Sequence, residues 1–244
     1  MQPVHYQWFV ANYSALIAIL LTLIAWPRNG AGMRLSHKQL LVISIAALLW
    51  GGGEMWLAAS VAWDYNHAVD EAKPAVNRLA QIAASDQLVL MSDFALADRV
   101  PTDTSQRVLW APRMLVFPGV SETENRERFW QQLYYLGYDE KKFWTEVDRS
   151  GWNFLAGMFP YQKLSPAVSG RNEPLTPAEL RAQLEAYLNY ARSFNRDRAT
   201  SPVLSYLIIH AATEADLGNL DRWYQRDEGE RFGDFILYRL KLRA

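Results

Sequence analysis

Two apolar runs near the N-terminus constrain what this chain can fold into: WFVANYSALIAILLTLIAW at 8–26 and QLLVISIAALLWGGGEMWLAAS at 39–60. Each has about the 20 residues a helix needs to cross the hydrocarbon core of a bilayer. The first carries no charge and the second carries one, Glu54. Arg28, Arg34 and Lys38 lie between them, with Pro27, Gly30 and Gly32 to break helix. This pattern predicts a two-helix transmembrane hairpin over residues 1–63 with a short basic turn, and the alternative is a hairpin buried in a soluble core. No Lys or Arg precedes Trp8, and the first run is longer than a secretory signal's apolar segment, so membrane retention is expected over cleavage. Basic residues favour the cytoplasmic side. The turn is therefore expected inside, and the N-terminus and all that follows Trp63 on the extracytoplasmic side of the cell membrane.

Trp8, Trp26, Trp50, Trp56 and Trp63 sit near the ends of the two runs, where amphipathic rings favour the headgroup region. Glu54 follows the glycines Gly51–Gly53. A carboxylate at membrane depth marks a functional site or a partner, whereas a helix loosened at the glycines would carry Glu54 to the outer interface. The glycines could also seat a neighbouring helix closely. Other transmembrane helices, or a separate catalytic membrane subunit, are thus candidate partners beside the lipid.

Residues 64–85 turn amphipathic, with Val69, Ala72, Val76, Leu79 and Ile82 at helical spacing, and read as a juxtamembrane helix. From residue 86 to 244 apolar runs alternate with helical stretches. QLVLMSD (87–93), RVLWA (107–111), the weaker MLVF (114–117), VLSYLIIH (203–210) and FILYRLKL (235–242) read as strands, the last suited to a sheet edge. Ser121-x-x-Glu124, Asp139 and Thr176-Pro-Ala-Glu179 read as helix N-termini. The expected fold class is α/β: a small, Rossmann-like domain with a partly parallel sheet and helices on its faces.

The acidic total of 26 nearly cancels the basic total of 25, so no nucleic-acid partner is expected. There is no cysteine, which removes disulfides and thiol ligands. Asp93, Asp98 and Asp103 form an evenly spaced series after the first strand, where ligands bind in open α/β sheets. Turn formation and helix capping account for such aspartates equally well. His5, His37, His67 and His210 have no metal spacing, and no glycine-rich turn follows the first strand. Neither metal nor cofactor is expected, and no catalytic residue stands out. Aromatic side chains crowd the middle of the domain, and Trp144, Trp152, Phe159 and Tyr161 are candidates for membrane or glycolipid contact.

The segment VLMSDFALADRVPTDTSQRVLWAPRMLVFPGVSETENRERFWQQLY, together with SYLIIHAA and the closing FGDFILYRLKL, resembles the outer C-terminal domains of large prokaryotic polytopic membrane proteins. These look like glycosyltransferases of the C superfamily, which take sugars from polyprenyl-phosphate donors. The resemblance covers roughly 87–242 and implies a membrane system handling lipid-linked sugars or glycans. In that superfamily the catalytic acid lies in the first outer loop, and Met1–Gln7 offers no such loop. The chain is accordingly expected to be the end of a longer protein or the partner of a catalytic subunit, not catalytic alone. A membrane-anchored interaction or ligand-binding domain without enzymatic function is the alternative.

Overall fold

The computed structural model describes residues 36–116, 119–164, 175–211 and 216–244. Two compact units divide the chain, Met1–Ala62 and Trp63–Ala244. Helix α1 (His37–Ile82) begins in the first and ends in the second, running unbroken through Pro74. The predicted first span, 8–26, and the basic turn lie outside the described residues. The second predicted span is not a separate helix, because it continues directly into the predicted juxtamembrane helix.

The expected transmembrane hairpin is not found among the described residues. Among the described residues no helix is long and apolar enough to cross a membrane. The physical reason lies at Gly51–Glu54. The nearly unbroken apolar run 40–50 covers about 17 Å of helix at 1.5 Å per residue, well short of a ~30 Å hydrocarbon core. Three glycines and a carboxylate then interrupt it. The apolar side chains of this half are nonetheless bare: Leu41, Val42, Ile45, Leu48, Leu49, Trp50, Met55, Trp56 and Leu57 are all at least half exposed.

In the second unit, α1 turns an apolar stripe inward at Ala72, Ala75, Val76 and Leu79, all almost fully buried. They pack on one face of a mixed sheet, against Val89, Met91, Tyr206, Ile208, Phe235 and Leu237. The sheet contains β1 (Leu88–Met91), β2 (Arg107–Val108), β3 (Tyr206–His210), β4 (Tyr224–Arg226), β5 (Glu230–Phe232) and β6 (Phe235–Leu242). Its order is β2-β1-β3-β6-β4, with β5 also on β6. β1 runs parallel to β2 and β3, whereas β6 is antiparallel to β3, β4 and β5. The α/β class and the partly parallel sheet are as expected; the antiparallel half establishes no Rossmann relation.

Because strand side chains alternate between faces, Leu88, Leu90, Leu207 and Ile209 point away from α1. They meet a second cluster containing Tyr134, Tyr135, Leu204, Leu220 and Tyr224. Beyond it lies an aromatic cluster around Phe129, with Phe94, Trp110, Phe143, Phe154 and Tyr187. The supporting helices include α2 (Arg99–Asp103), α3 (Glu122–Tyr135), α4 (Glu140–Ser150), α5 (Trp152–Leu155) and α6 (Tyr161–Leu164). After them come α7 (Pro177–Arg192), α8 (Arg196–Ala199) and α9 (Gly218–Trp223).

Two strand expectations change. Residues 114–116 form a 3₁₀ turn, and β6 is interior, paired on both sides. The polar stretch before β6 folds back on it as β4 and β5. The registers of the two pairs differ by one residue, a bulge at Asp227–Gly229. Gly229 has φ +76° there, and a Cβ would lie 2.6 Å from the Tyr238 ring. Gly233, at φ +57°, opens the two-residue turn between the paired Phe232 and Phe235.

Candidate functional site

From β1 the chain crosses to β2 on one side and later returns to β3 on the other. The carboxyl ends of β1 and β3 therefore flank a switch point, where open α/β sheets leave a ligand crevice. β1 ends at Met91 and is followed by Ser92 and Asp93, while β3 ends at His210. Ser92 is almost fully buried. Its N–H donates to the Ile208 carbonyl at 2.9 Å, and its Oγ accepts the His210 N–H at 3.2 Å. From α3, Gln132 donates its Nε2 to the Met91 carbonyl at 2.9 Å. These bonds make the strand ends a rigid floor.

Asp93 shapes the turn leaving that floor, its Oδ1 accepting the N–H groups of Ala95 at 2.8 Å and Leu96 at 3.0 Å. Asp98 accepts from Arg113 Nη1 at 2.6 Å. Burial pushes the Asp98 carboxyl above its ordinary range, and the Arg113 charge and hydrogen bond offset only part of this. Asp103 pairs with Arg99 along α2 at 2.5 Å. The aspartate series thus goes to three separate partners. Among the described residues no cluster of three metal-ligating His, Asp or Glu side chains occurs.

Of the predicted residues, Asp98 and Trp152 are drawn to one guanidinium. Arg113 binds Asp98 and also lies 5.9 Å from the centre of the Trp152 ring, which meets Tyr161 edge-on. Trp144 is half-buried against the aromatic cluster, edge-on to Phe143, and Phe159 is buried. These aromatic rings serve packing more than exposed surface. Glu54 lies within α1.

The residues that sequence reading missed stand beside the floor. Glu146 is buried, yet it accepts from the Tyr138 hydroxyl at 3.2 Å, from Arg149 Nη2 at 3.0 and 2.9 Å, and from Ser150. A buried carboxylate is tolerable only when its lone pairs are filled in this way. Burial and the neighbouring Glu146 charge push the Tyr138 hydroxyl well above the usual phenol range, so it remains a donor. Burial opposes the charge of Arg149, but its bond to Glu146, the Glu146 charge and smaller contributions from Tyr138 and Asp93 raise its pKa.

Tyr138 also faces an open groove of about 470 Å³, within the size range of small-ligand sites. Tyr134, Tyr187, Leu188 and Ala191 form the rest of its apolar wall, and Arg192, Asn219 and Arg222 give it a polar edge. The wall is braced from behind. The Tyr187 hydroxyl donates to the Tyr138 carbonyl at 2.7 Å, and Tyr134 stacks on Phe194 at 3.8 Å. Tyr138 reaches toward the strand ends through its ring contact with Phe94, 6.0 Å away, next to Asp93. Gly137 presses on the segment after β3, where a Cβ would come within 2.5 Å of the Asp216 carbonyl.

Chemically, the groove offers cationic and amide hydrogen-bonding groups over an apolar wall, and no carboxylate is among its lining residues. It supports binding and contains no nucleophile–base pair. Among its members, Tyr187, Leu188 and Ala191 follow the helical spacing of the apolar face of α7, whereas nothing in the sequence pattern singled out Arg192, Asn219 or Arg222. Comparisons with family models, with curated proteins and with solved structures give no match for this chain.

Proposed function

We propose that this protein is held at the cell membrane by its apolar N-terminal segment. Its α/β domain, on the extracytoplasmic side, serves a glycosyltransferase-like system using lipid-linked sugars as an accessory or acceptor-binding module. It is not catalytic alone. The observation that carries this reading is the bare apolar half of α1. Leu41, Val42, Ile45, Leu48, Leu49, Trp50, Met55, Trp56 and Leu57 are exposed at positions all round a helix, and an apolar patch of that extent on a soluble monomer marks a membrane or partner surface. The sugar link rests on the resemblance over 87–242, and the ligand-sized groove beside Tyr138 is consistent with it.

The test has two readouts on the full chain. Retention in an alkali-washed membrane fraction is expected, together with binding of lipid-linked sugars or glycans by the protein in nanodiscs. A chain released by the alkaline wash would overturn membrane attachment. Membrane retention without binding to any glycan or lipid-linked sugar would favour an interaction domain unrelated to sugars.

A further inference from the structure

We infer that the groove between α3, α7 and α9 takes a sugar phosphate, with Arg192 and Arg222 holding the phosphate and Asn219 a sugar hydroxyl. This deepens the reading above and rests on it for the sugar. The charge of the groove is one-sided: two arginines line it and no carboxylate does. The carboxylates of Asp139, Asp216 and Asp221 do not line it. Asp221 pairs with Arg226 at 2.7 Å, Asp139 caps α4 through the Lys142 N–H, and Asp216 accepts the Gly218 N–H.

The Arg222 side chain is exposed and makes no hydrogen bond or ion pair among the described residues. Arg192 spends Nε on the Leu188 carbonyl and Nη2 on Asn189, which fixes the guanidinium and leaves Nη1 uncommitted. A planar guanidinium already fixed in place suits phosphate recognition.

The hydroxyl preference comes from Asn219. Its Nδ2 donates to the Tyr134 carbonyl at 3.0 Å, which fixes the amide and presents Oδ1 as an acceptor. An acceptor beside two cations matches a ligand carrying both hydroxyls and an anionic group. Leu188, Ala191 and the half-buried Tyr138 ring supply the apolar wall against which a sugar face can rest.

The experiment is titration calorimetry on the full chain in nanodiscs, with hexose 1-phosphate, the free hexose and inorganic phosphate as probes. Hexose 1-phosphate is expected to bind at least about tenfold more tightly than either fragment, and more weakly as salt rises. R222Q is expected to weaken it by about tenfold and R192Q/R222Q further. Both positions are exposed, and unchanged thermal unfolding of the variants checks the fold. Equal binding of inorganic phosphate or free hexose, no binding of the sugar phosphate, or a double variant that binds like the parent would each overturn the assignment. A glycan or lipid-linked sugar bound equally by parent and double variant would sink the groove alone. Sugar phosphate bound through Arg192 and Arg222 by a chain that leaves the membrane would sink membrane attachment alone.

Discussion

At Gly157 the backbone runs against the Phe129 ring with no room for a side chain; a Cβ there would lie 2.2 Å from Cγ of that ring. Phe129 cannot yield, because Trp110 at 4.6 Å and Phe154 at 5.1 Å enclose it. Gly157→Ala is therefore expected to lower unfolding stability by about 1–3 kcal/mol, measured by urea denaturation. An unchanged midpoint would show that the aromatic cluster has slack that its contacts do not suggest. Asp98 makes the opposite point. Its pKa is raised, so the fold favours its neutral form. The stability this group contributes is present at acid pH and lost as pH rises through its folded value. Asp98→Asn keeps an acceptor for Arg113 and removes the buried charge. Its thermal midpoint at neutral pH should equal or exceed that of the parent, and a lower one would mean that the ion pair outweighs burial.

Among the elements, α7 has the most completely capped start. Thr176 Oγ1 accepts the Glu179 N–H, the Glu179 carboxylate accepts the Thr176 N–H, and Pro177 occupies the first turn. Thr176→Ala should cost about 1 kcal/mol. Lys163, on α6, also meets Glu179, and its hydrogen bond, followed by those from Thr176, holds the Glu179 carboxyl at about 2. That contribution is present above the ordinary carboxyl range and fades as pH falls toward 2. E179Q should accordingly flatten the acid limb of the stability–pH curve while altering its neutral region less. Arg78 of α1 and Glu230 of β5 behave alike. Their two-point ion pair, at 2.7 and 3.2 Å, depresses the Glu230 pKa and adds to the same acid loss.

For the whole molecule, the central contrast is between an apolar helical half with bare side chains and an α/β unit with its own cores. Replacing Leu41, Leu48 and Trp56 together with lysine should move the protein from the membrane fraction toward the soluble one. The domain's denaturant midpoint should stay within about 0.5 kcal/mol of the parent, as surface changes away from packed features usually do. Membrane retention unaffected by three lysines would show that something else holds the chain there.

How much was legible in the sequence follows the range of each interaction. The caps at Ser121, Asp139 and Thr176 were legible because each rests on residues three apart in the chain. Only half of the box at Ser121 forms: the Ser121 hydroxyl accepts the Glu124 N–H, while the Glu124 carboxylate pairs with Arg128. The strands at 88–91 and 206–210 and the apolar stripe of α1 showed in their hydrophobic patterns. Position within the sheet did not. β6 lies between β3 on one edge and β4 and β5 on the other, and only the return of β4 and β5 through Gly229 and Gly233 determines that.

The groove was least legible. Its wall comes from 134–138 and 187–192 and its edge from 219–222, and only folding brings these segments together. The sequence by itself determined the apolar N-terminal segment, the α/β class and the helix starts, since these depend on local pattern and capping chemistry. Tertiary structure decided that α1 runs unbroken past Gly51–Gly53 and Pro74, that the three aspartates go to separate partners, and that two distant arginines share one groove. Those outcomes depend on which distant side chains reach one another, and spacing along the chain does not encode that distance.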